Sequence, residues 1–238
     1  MHGSNTERGE PISGWERLLE GLPSLEAEQA SAVLDASPAV EIEPGVPYLR
    51  ASFSTAALLV VDDGFVVLRA GTPDLSRSVI TCEVGTGGLL LPPSPEEALF
   101  GLGTSRVRVV SPEGRDELLA LAAVGQRVVE QLMRALSQKQ ESIANFAPTR
   151  HLERVERKLR QLAREYGHVV HDGIRIDFPV SHALLAEMIG SSRETVTRAV
   201  DELQRTGLVA RLGSTYLLRA SPESVLGAEA LREDRHAV

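Results

Sequence analysis

Ile189-Gly190-Ser191-Ser192-Arg193-Glu194-Thr195-Val196-Thr197-Arg198 is the stretch that decides the fold of the last third of this chain. An apolar helical pattern over 181–189 runs into Gly190-Ser191, a tight turn, and a second helical pattern follows over 192–205. Two helices that meet at such a corner need a small residue at their closest approach, a turn residue tolerant of positive φ, and apolar inner faces. Ala186, Gly190 and Val196 meet those needs, with Leu185, Ile189, Val200 and Leu203 behind them. Just before the pair, 174–178 alternates like a strand, and Pro179 turns the chain. After it, 208–212 and 215–218 form a hairpin across Gly213-Ser214. The pattern predicts a winged helix-turn-helix.

The outward residues of the second helix carry chemistry. Arg193, Glu194, Thr197 and Arg198 fall at its N-terminal end and on one face, where a recognition helix meets base edges. Arginine can take guanine O6 and N7 bidentately, and glutamate can accept from cytosine N4. Ser192 and Thr195 place hydroxyls beside the helix N-terminus, suited to a phosphate. Each alone would be an ordinary solvated side chain; together they predict double-stranded DNA as the partner.

Charge is compatible with that partner only because it is uneven. The net charge is -8 over 238 residues. Residues 1–149 hold 11 basic against 20 acidic residues, whereas 150–220 hold 12 against 9. The C-terminal module is therefore mildly basic, and the acidity belongs to the first half.

Outward from the motif, 150–166 reads as a helix closed by Gly167, and Pro148-Thr149 separates it from a long helical pattern that starts at Ser111-Pro112-Glu113 and continues unbroken to 147. Within the long pattern Ala122, Gly125, Val129, Leu132, Leu136, Ile143 and Phe146 recur at three- and four-residue spacing, broken at Lys139. A narrow apolar stripe with polar flanks predicts a seam against a partner helix, hence a homodimer. Between 40 and 110 the chain changes to short β-rich runs (57–61, 65–69, 78–84, 105–110) punctuated by Asp62-Asp63-Gly64, Ala70-Gly71-Thr72-Pro73 and Gly85-Thr86-Gly87-Gly88, the pattern of a small sandwich or roll. Two short helices, 14–22 and 25–34 with Ser24 as N-cap, precede it.

The expected architecture is α+β. A disordered start (1–13) leads to a β-roll (14–112), a dimerisation helix (113–147), a winged helix-turn-helix (148–220) and a tail (221–238). No apolar run reaches the length of a membrane span and the start lacks a secretory signal, so a cytoplasmic protein is expected. The lone Cys82 rules out an intramolecular disulfide and a cysteine-only metal site, and is expected to be a small apolar residue in a strand. No metal and no cofactor are expected.

The run from Gly190 to Arg198 resembles the recognition helix of the cyclic AMP receptor protein/fumarate-nitrate reduction regulator (CRP/FNR) family. The resemblance is dense from about Arg157 through the Gly213 turn, and in architecture extends over nearly the whole chain. It implies a cyclic-nucleotide-binding-like jelly roll for the β region and base reading by Arg193, Glu194 and Arg198 at a TGTGA-like half-site. It also implies phosphate contacts near Ser192, Thr195, Gly213 and Ser214, and RNA polymerase as a further partner. The sensor half departs from it. A family cyclic-nucleotide site has a Phe-Gly-Glu stretch followed by Arg-Ser-Ala. Here the sequence is Leu89-Leu90-Leu91-Pro92-Pro93-Ser94-Pro95-Glu96-Glu97-Ala98-Leu99-Phe100-Gly101, with neither the glutamate nor the arginine. A buried cyclic phosphate without its arginine would be an unpaired charge, so independence of cyclic AMP is expected. Arg106, alternating with Val107 and Val109, is expected to face solvent rather than replace it.

The competing function is a cupin-like β-barrel enzyme with a C-terminal dimerisation module. Its metal site would take inward-facing histidines. No histidine occurs between residues 3 and 150, and His151, His168, His171 and His182 read as surface or structural.

Overall fold

The computed structural model describes residues 14–71, 78–144 and 150–219. The start (1–13), the Thr72-Pro73 turn, Phe146 with the Pro148-Thr149 break, and the tail lie outside the described residues, as does the side chain of Ile143. The chain divides into two compact units, 1–140 and 141–238.

The first unit is built on two antiparallel sheets. Strands β1 (Ala39–Ile42), β2 (Leu58–Asp63), β3 (Phe65–Gly71), β4 (Ser78–Gly85), β5 (Leu89–Leu90), β6 (Glu97–Gly101) and β7 (Ser105–Val110) assemble in the orders β1-β7-β2-β5 and β4-β3-β6. Between the sheets lies an apolar core of Ile42, Leu59, Val61 and Val107 from the first, and Val66, Leu68, Cys82, Val84 and Leu99 from the second. Cys82 is thus the buried strand residue its neighbours predict. Strands β1, β5 and β6 were not foreseen; β6 is the Glu97-to-Gly101 stretch, which pairs with β3 and is buried along its whole length.

Strand β2 is buried from Leu58 through Asp62, so it needs cover on both faces. The second cover is helical. Helices α1 (Gly14–Leu19) and α2 (Ser24–Ala36) bring Trp15, Leu18, Ala30 and Leu34 onto Leu58, Val60, Leu89 and Val110. Ser24 is the first helical residue rather than the cap: Pro23 takes the cap position, and no side chain fills it. Arginines of β7 tie α2 to the sheet and β7 to β2. Arg108 donates to the Leu34 carbonyl at the end of α2 (2.8 Å), and Asp62, buried, pairs with Arg106 at 2.8 Å. Arg106 itself is half exposed, as its alternation predicts.

The long helix is not continuous. Helix α3 (Pro112–Ala120) starts as foreseen, with Ser111 accepting the Gly114 N–H at 3.2 Å and Pro112 at the first turn. Leu121 then adopts an extended conformation and α4 (Ala122–Ala144) begins afresh. The break has a tertiary cause. The Glu26 carboxylate, from α2, accepts the Ala123 and Val124 N–H groups at 2.8 and 3.4 Å, filling the cap that the sequence around Leu121 lacks. Arg127 returns the contact by donating to the Leu18 carbonyl at 3.2 Å.

Further along α4 a polar clasp ties it to the second sheet. Lys139 holds both oxygens of the buried Glu97 at 2.8 and 2.9 Å, and Thr81 donates to the same carboxylate at 2.7 Å. Burial alone would raise the Glu97 pKa; the bonds from Lys139, Thr81 and the Ser94 N–H, with the lysine charge, hold it below the ordinary value. Gln138 accepts from the Glu83 N–H at 3.2 Å and the Cys82 thiol at 3.1 Å.

Val124 and Val128 are buried in this unit, and Leu132 is partly buried against the same cluster. Gly125 is also buried, where an added Cβ would lie 2.9 Å from the Leu119 carbonyl. Ala122, Val129 and Leu136 are exposed, joined by Met133, which the sequence pattern did not single out. The stripe therefore divides, with part of it serving its own core.

Candidate nucleic-acid interface

The second unit positions its site with α5 (His151–Tyr166), α6 (His182–Ile189), α7 (Arg193–Arg205) and a four-stranded antiparallel sheet. The sheet has strands β8 (Gly167–Val170), β9 (Gly173–Ile176), β10 (Val209–Leu212) and β11 (Thr215–Arg219), in the order β10-β11-β9-β8. Strand β8 was unforeseen; its pairing with β9 makes the expected lone strand one half of a hairpin.

Both helices of the corner are capped by serine. Ser181 Oγ accepts the Leu184 N–H at 3.0 Å, and Ser192 Oγ accepts the Thr195 N–H at 3.2 Å. Between them Gly190 sits at φ 59 and ψ 50, the left-handed region, and the Ser191 N–H reaches back to the Ala186 carbonyl at 2.9 Å. Leu185, Ala186, Ile189, Val196, Val200 and Leu203 are all buried, as their spacing predicts. The buried Arg154 of α5 donates to the Ile189 carbonyl at 3.3 Å, placing a cation at the C-terminal end of α6. The wing is tied down as well: the Val180 N–H donates to the Ser214 carbonyl at 2.9 Å, and Gly213 turns the hairpin at φ 62.

Of the foreseen site residues, Ser192, Arg193, Glu194 and Arg198 are exposed at the start of α7, with Thr195 and Thr197 half-buried beside them. Glu194 accepts from its own backbone N–H and the Ser192 hydroxyl, which hold its pKa below the ordinary value and keep the carboxylate an acceptor. Arg193 and Arg198 lie on the same open face, and Gly213 and Ser214 are exposed at the wing tip. Ser192 and Thr195 pair with each other (oxygens 3.0 Å apart) in the cap.

Two residues were missed. Arg211 is exposed on the wing, its Nε donating to the Gly213 carbonyl at 3.1 Å. His182, at the first position of α6, stands 2.9 Å through Nδ1 from Thr197 Oγ1. Burial foremost, then the charges of Arg211 and Arg193 against that of Asp201, lower its pKa and favour the neutral ring. A serine N-cap immediately before a histidine was the available signal.

Two capped helices at a glycine corner, a basic N-terminal face and a β-hairpin wing define the winged helix-turn-helix class. Comparison with known proteins narrows the class. Residues 153–221 match the Crp-like helix-turn-helix domain. A CRP-like cAMP-activated global transcriptional regulator of Mycobacterium tuberculosis is 29% identical over 121 residues, 49% of this chain and 54% of that protein. A global nitrogen regulator of Synechocystis sp. is 46% identical over 48 residues, 20% of this chain and 21% of that protein. The chain thus spans about half the length, or less, of the curated relatives it matches. Among solved structures, a CooA mutant from Carboxydothermus hydrogenoformans superposes with a TM-score of 0.70 at 17% identity, over 84% of this chain and 91% of that one. The c-di-GMP responsive global regulator CLP of Xanthomonas campestris gives 0.60 at 21% identity, over 82% and 100%. Residues 153–221 are thus similar to the Crp-like helix-turn-helix domain, and the chain shares its overall fold with these regulators of known structure. Among the described residues no helix is long and apolar enough to cross a membrane.

Proposed function

We propose that the chain is a sequence-specific transcription regulator that binds palindromic double-stranded DNA as a homodimer, without cyclic AMP. The observation that carries this is the start of α7, where Arg193, Glu194 and Arg198 stand exposed on a helix whose opposite face is fully packed. A rigid scaffold that presents two guanidinium groups and one carboxylate can read guanine with each arginine and cytosine with Glu194. Ser192 and Thr195, at the helix N-terminus, and Gly213, Ser214 and Arg211, on the wing, would meet phosphates.

Dimerisation is assigned to the exposed Ala122, Val129, Met133 and Leu136 of α4, continuing toward Ile143 and Phe146. Two modules related by a dyad would then enter successive major grooves about 34 Å apart. Independence of cyclic AMP is supported by the core between the sheets of the first unit. Leu68, Cys82, Leu90 and Leu99 fill it with apolar side chains, and Phe100-Gly101 belongs to the paired strand β6 rather than to a phosphate-binding loop. RNA polymerase as a partner and a cytoplasmic location accord with this function.

The test is selection from a random DNA library with the full chain, followed by a substitution series at the selected half-site. Arg198→Ala should lose on the order of 1–3 kcal/mol on the wild-type site and relax preference at one base pair. Equal losses on every sequence would overturn base reading, and no selected sequence would overturn DNA recognition.

A further inference from the structure

We propose that His182 is a positioning residue that sets specificity: by donating from Nδ1 to the Thr197 hydroxyl, whose own proton goes to the Arg193 carbonyl, it holds the Thr197 side chain in the rotamer that offers its methyl group to a thymine. This rests on the DNA-reading role of α7 proposed above. The argument is one of proton accounting. Thr197 Oγ1 lies 2.9 Å from the Arg193 carbonyl oxygen, which can only accept, and we assign the single hydroxyl proton to that bond. The same oxygen lies 2.9 Å from His182 Nδ1, and with its proton already used it must accept. Nδ1 therefore carries the ring proton. Nε2 is buried and has no hydrogen-bond partner among the described residues, a position in which a bare lone pair is tolerated better than a second N–H.

The consequence falls on the neighbouring base. A free threonine hydroxyl can donate to, or accept from, any base edge. One whose proton and one lone pair are committed inside the protein has no donor left. Its remaining contact of value is the methyl group, which in the major groove matches the C5 methyl of thymine. Thr197 lies one helical turn beyond Arg193 and beside Arg198, so the thymine would adjoin the positions those arginines read.

The experiment replaces each thymine of the selected half-site in turn with deoxyuridine, which lacks only that methyl. The full chain should lose about fourfold in affinity at one position, the worth of one buried methyl-sized group. Thr197→Ser, which keeps the hydroxyl, should bind both DNAs alike. His182→Ala should also lose the discrimination. His182→Asn, whose amide nitrogen replaces Nδ1, should restore it, and His182→Gln should not, a contrast that loss of packing alone would not produce. Nitrogen-15 NMR of the free protein should report the Nδ1–H tautomer for His182. Uniform affinity across the deoxyuridine series, discrimination that survives in His182→Ala, or an Nε2–H tautomer would each overturn the proposal. If a site is selected and depends on Arg198 but shows no methyl effect, only this inference falls; if no site is selected, the DNA-reading role falls with it.

Discussion

Replacing Glu26 with alanine removes the carboxylate that caps α4 from another helix, and its cost can be worked from the geometry. Two orphan amides at the first turn of α4, those of Ala123 and Val124, receive it at 2.8 and 3.4 Å. The loss of an N-cap acceptor costs about 1 kcal/mol, and an anion at a partly buried helix N-terminus contributes up to about 1 kcal/mol more. The expected total is about 1.5–2 kcal/mol. For a unit of this size that lowers the melting temperature by roughly 3–8 °C. Glu26→Gln separates the two contributions, because its amide oxygen still accepts but carries no charge; it should lose about half as much. Calorimetry gives the totals. Hydrogen exchange gives the location, with faster exchange expected at Ala123 and Val124 and in the turn that follows. If Glu26→Ala unfolds within 0.3 kcal/mol of wild type, a level at which surface changes are unremarkable, the tertiary cap does not hold the break at Leu121 in place.

Three further outcomes are expected. Gly190→Ala forces a Cβ into the left-handed region and should cost about 1–2 kcal/mol, measured by urea unfolding of the full chain, with Gly190→Asn less severe. Glu97 has a depressed folded pKa, so its contribution is present above the unfolded value near 4.3 and is lost as pH falls through the folded one. Urea midpoints measured against pH should therefore drop below about pH 4.3 in the wild type, and Lys139→Met, which removes part of what depresses the folded value, should shrink that drop. Leu136→Glu, at an exposed position of α4, should convert a dimer to a monomer in sedimentation equilibrium, whereas the partly buried Leu132 would confound assembly with stability.

The helix-turn-helix was legible because its determinants are local: two serine caps, one glycine and an apolar period lie within about twenty-five residues of each other. The roll was legible in class but not in detail. Pro92, Pro93 and Pro95 disguise the approach to β6, which exists because Val66 to Ala70 are there to pair with it. The break at Leu121 has no local mark, neither glycine nor proline, because its cause is a carboxylate 97 residues before the Ala123 amide that it caps. The same reason hid the clasp, since Glu97 and Lys139 read as two surface charges until the fold brings them together. In the site, the side chains that face outward were readable from helical phase, but the commitment of Thr197 to His182 depends on the packing of α6 against α7 and lies beyond any periodicity.

The two-sided burial of β2 also constrains how the protein can be dissected. A fragment of the first unit beginning after Ala36 would strip from Leu58, Val60, Leu89 and Val110, on the outer face of the first sheet, the cover that α1 and α2 give them. It would also strip the cap from α4, the Leu34 carbonyl from Arg108 and the Leu18 carbonyl from Arg127. A contiguous apolar patch on a sheet is an aggregation surface. Such a fragment would be recovered as insoluble material even though every strand of the roll was present, so helices α1 and α2 set the minimal boundary for a soluble first unit.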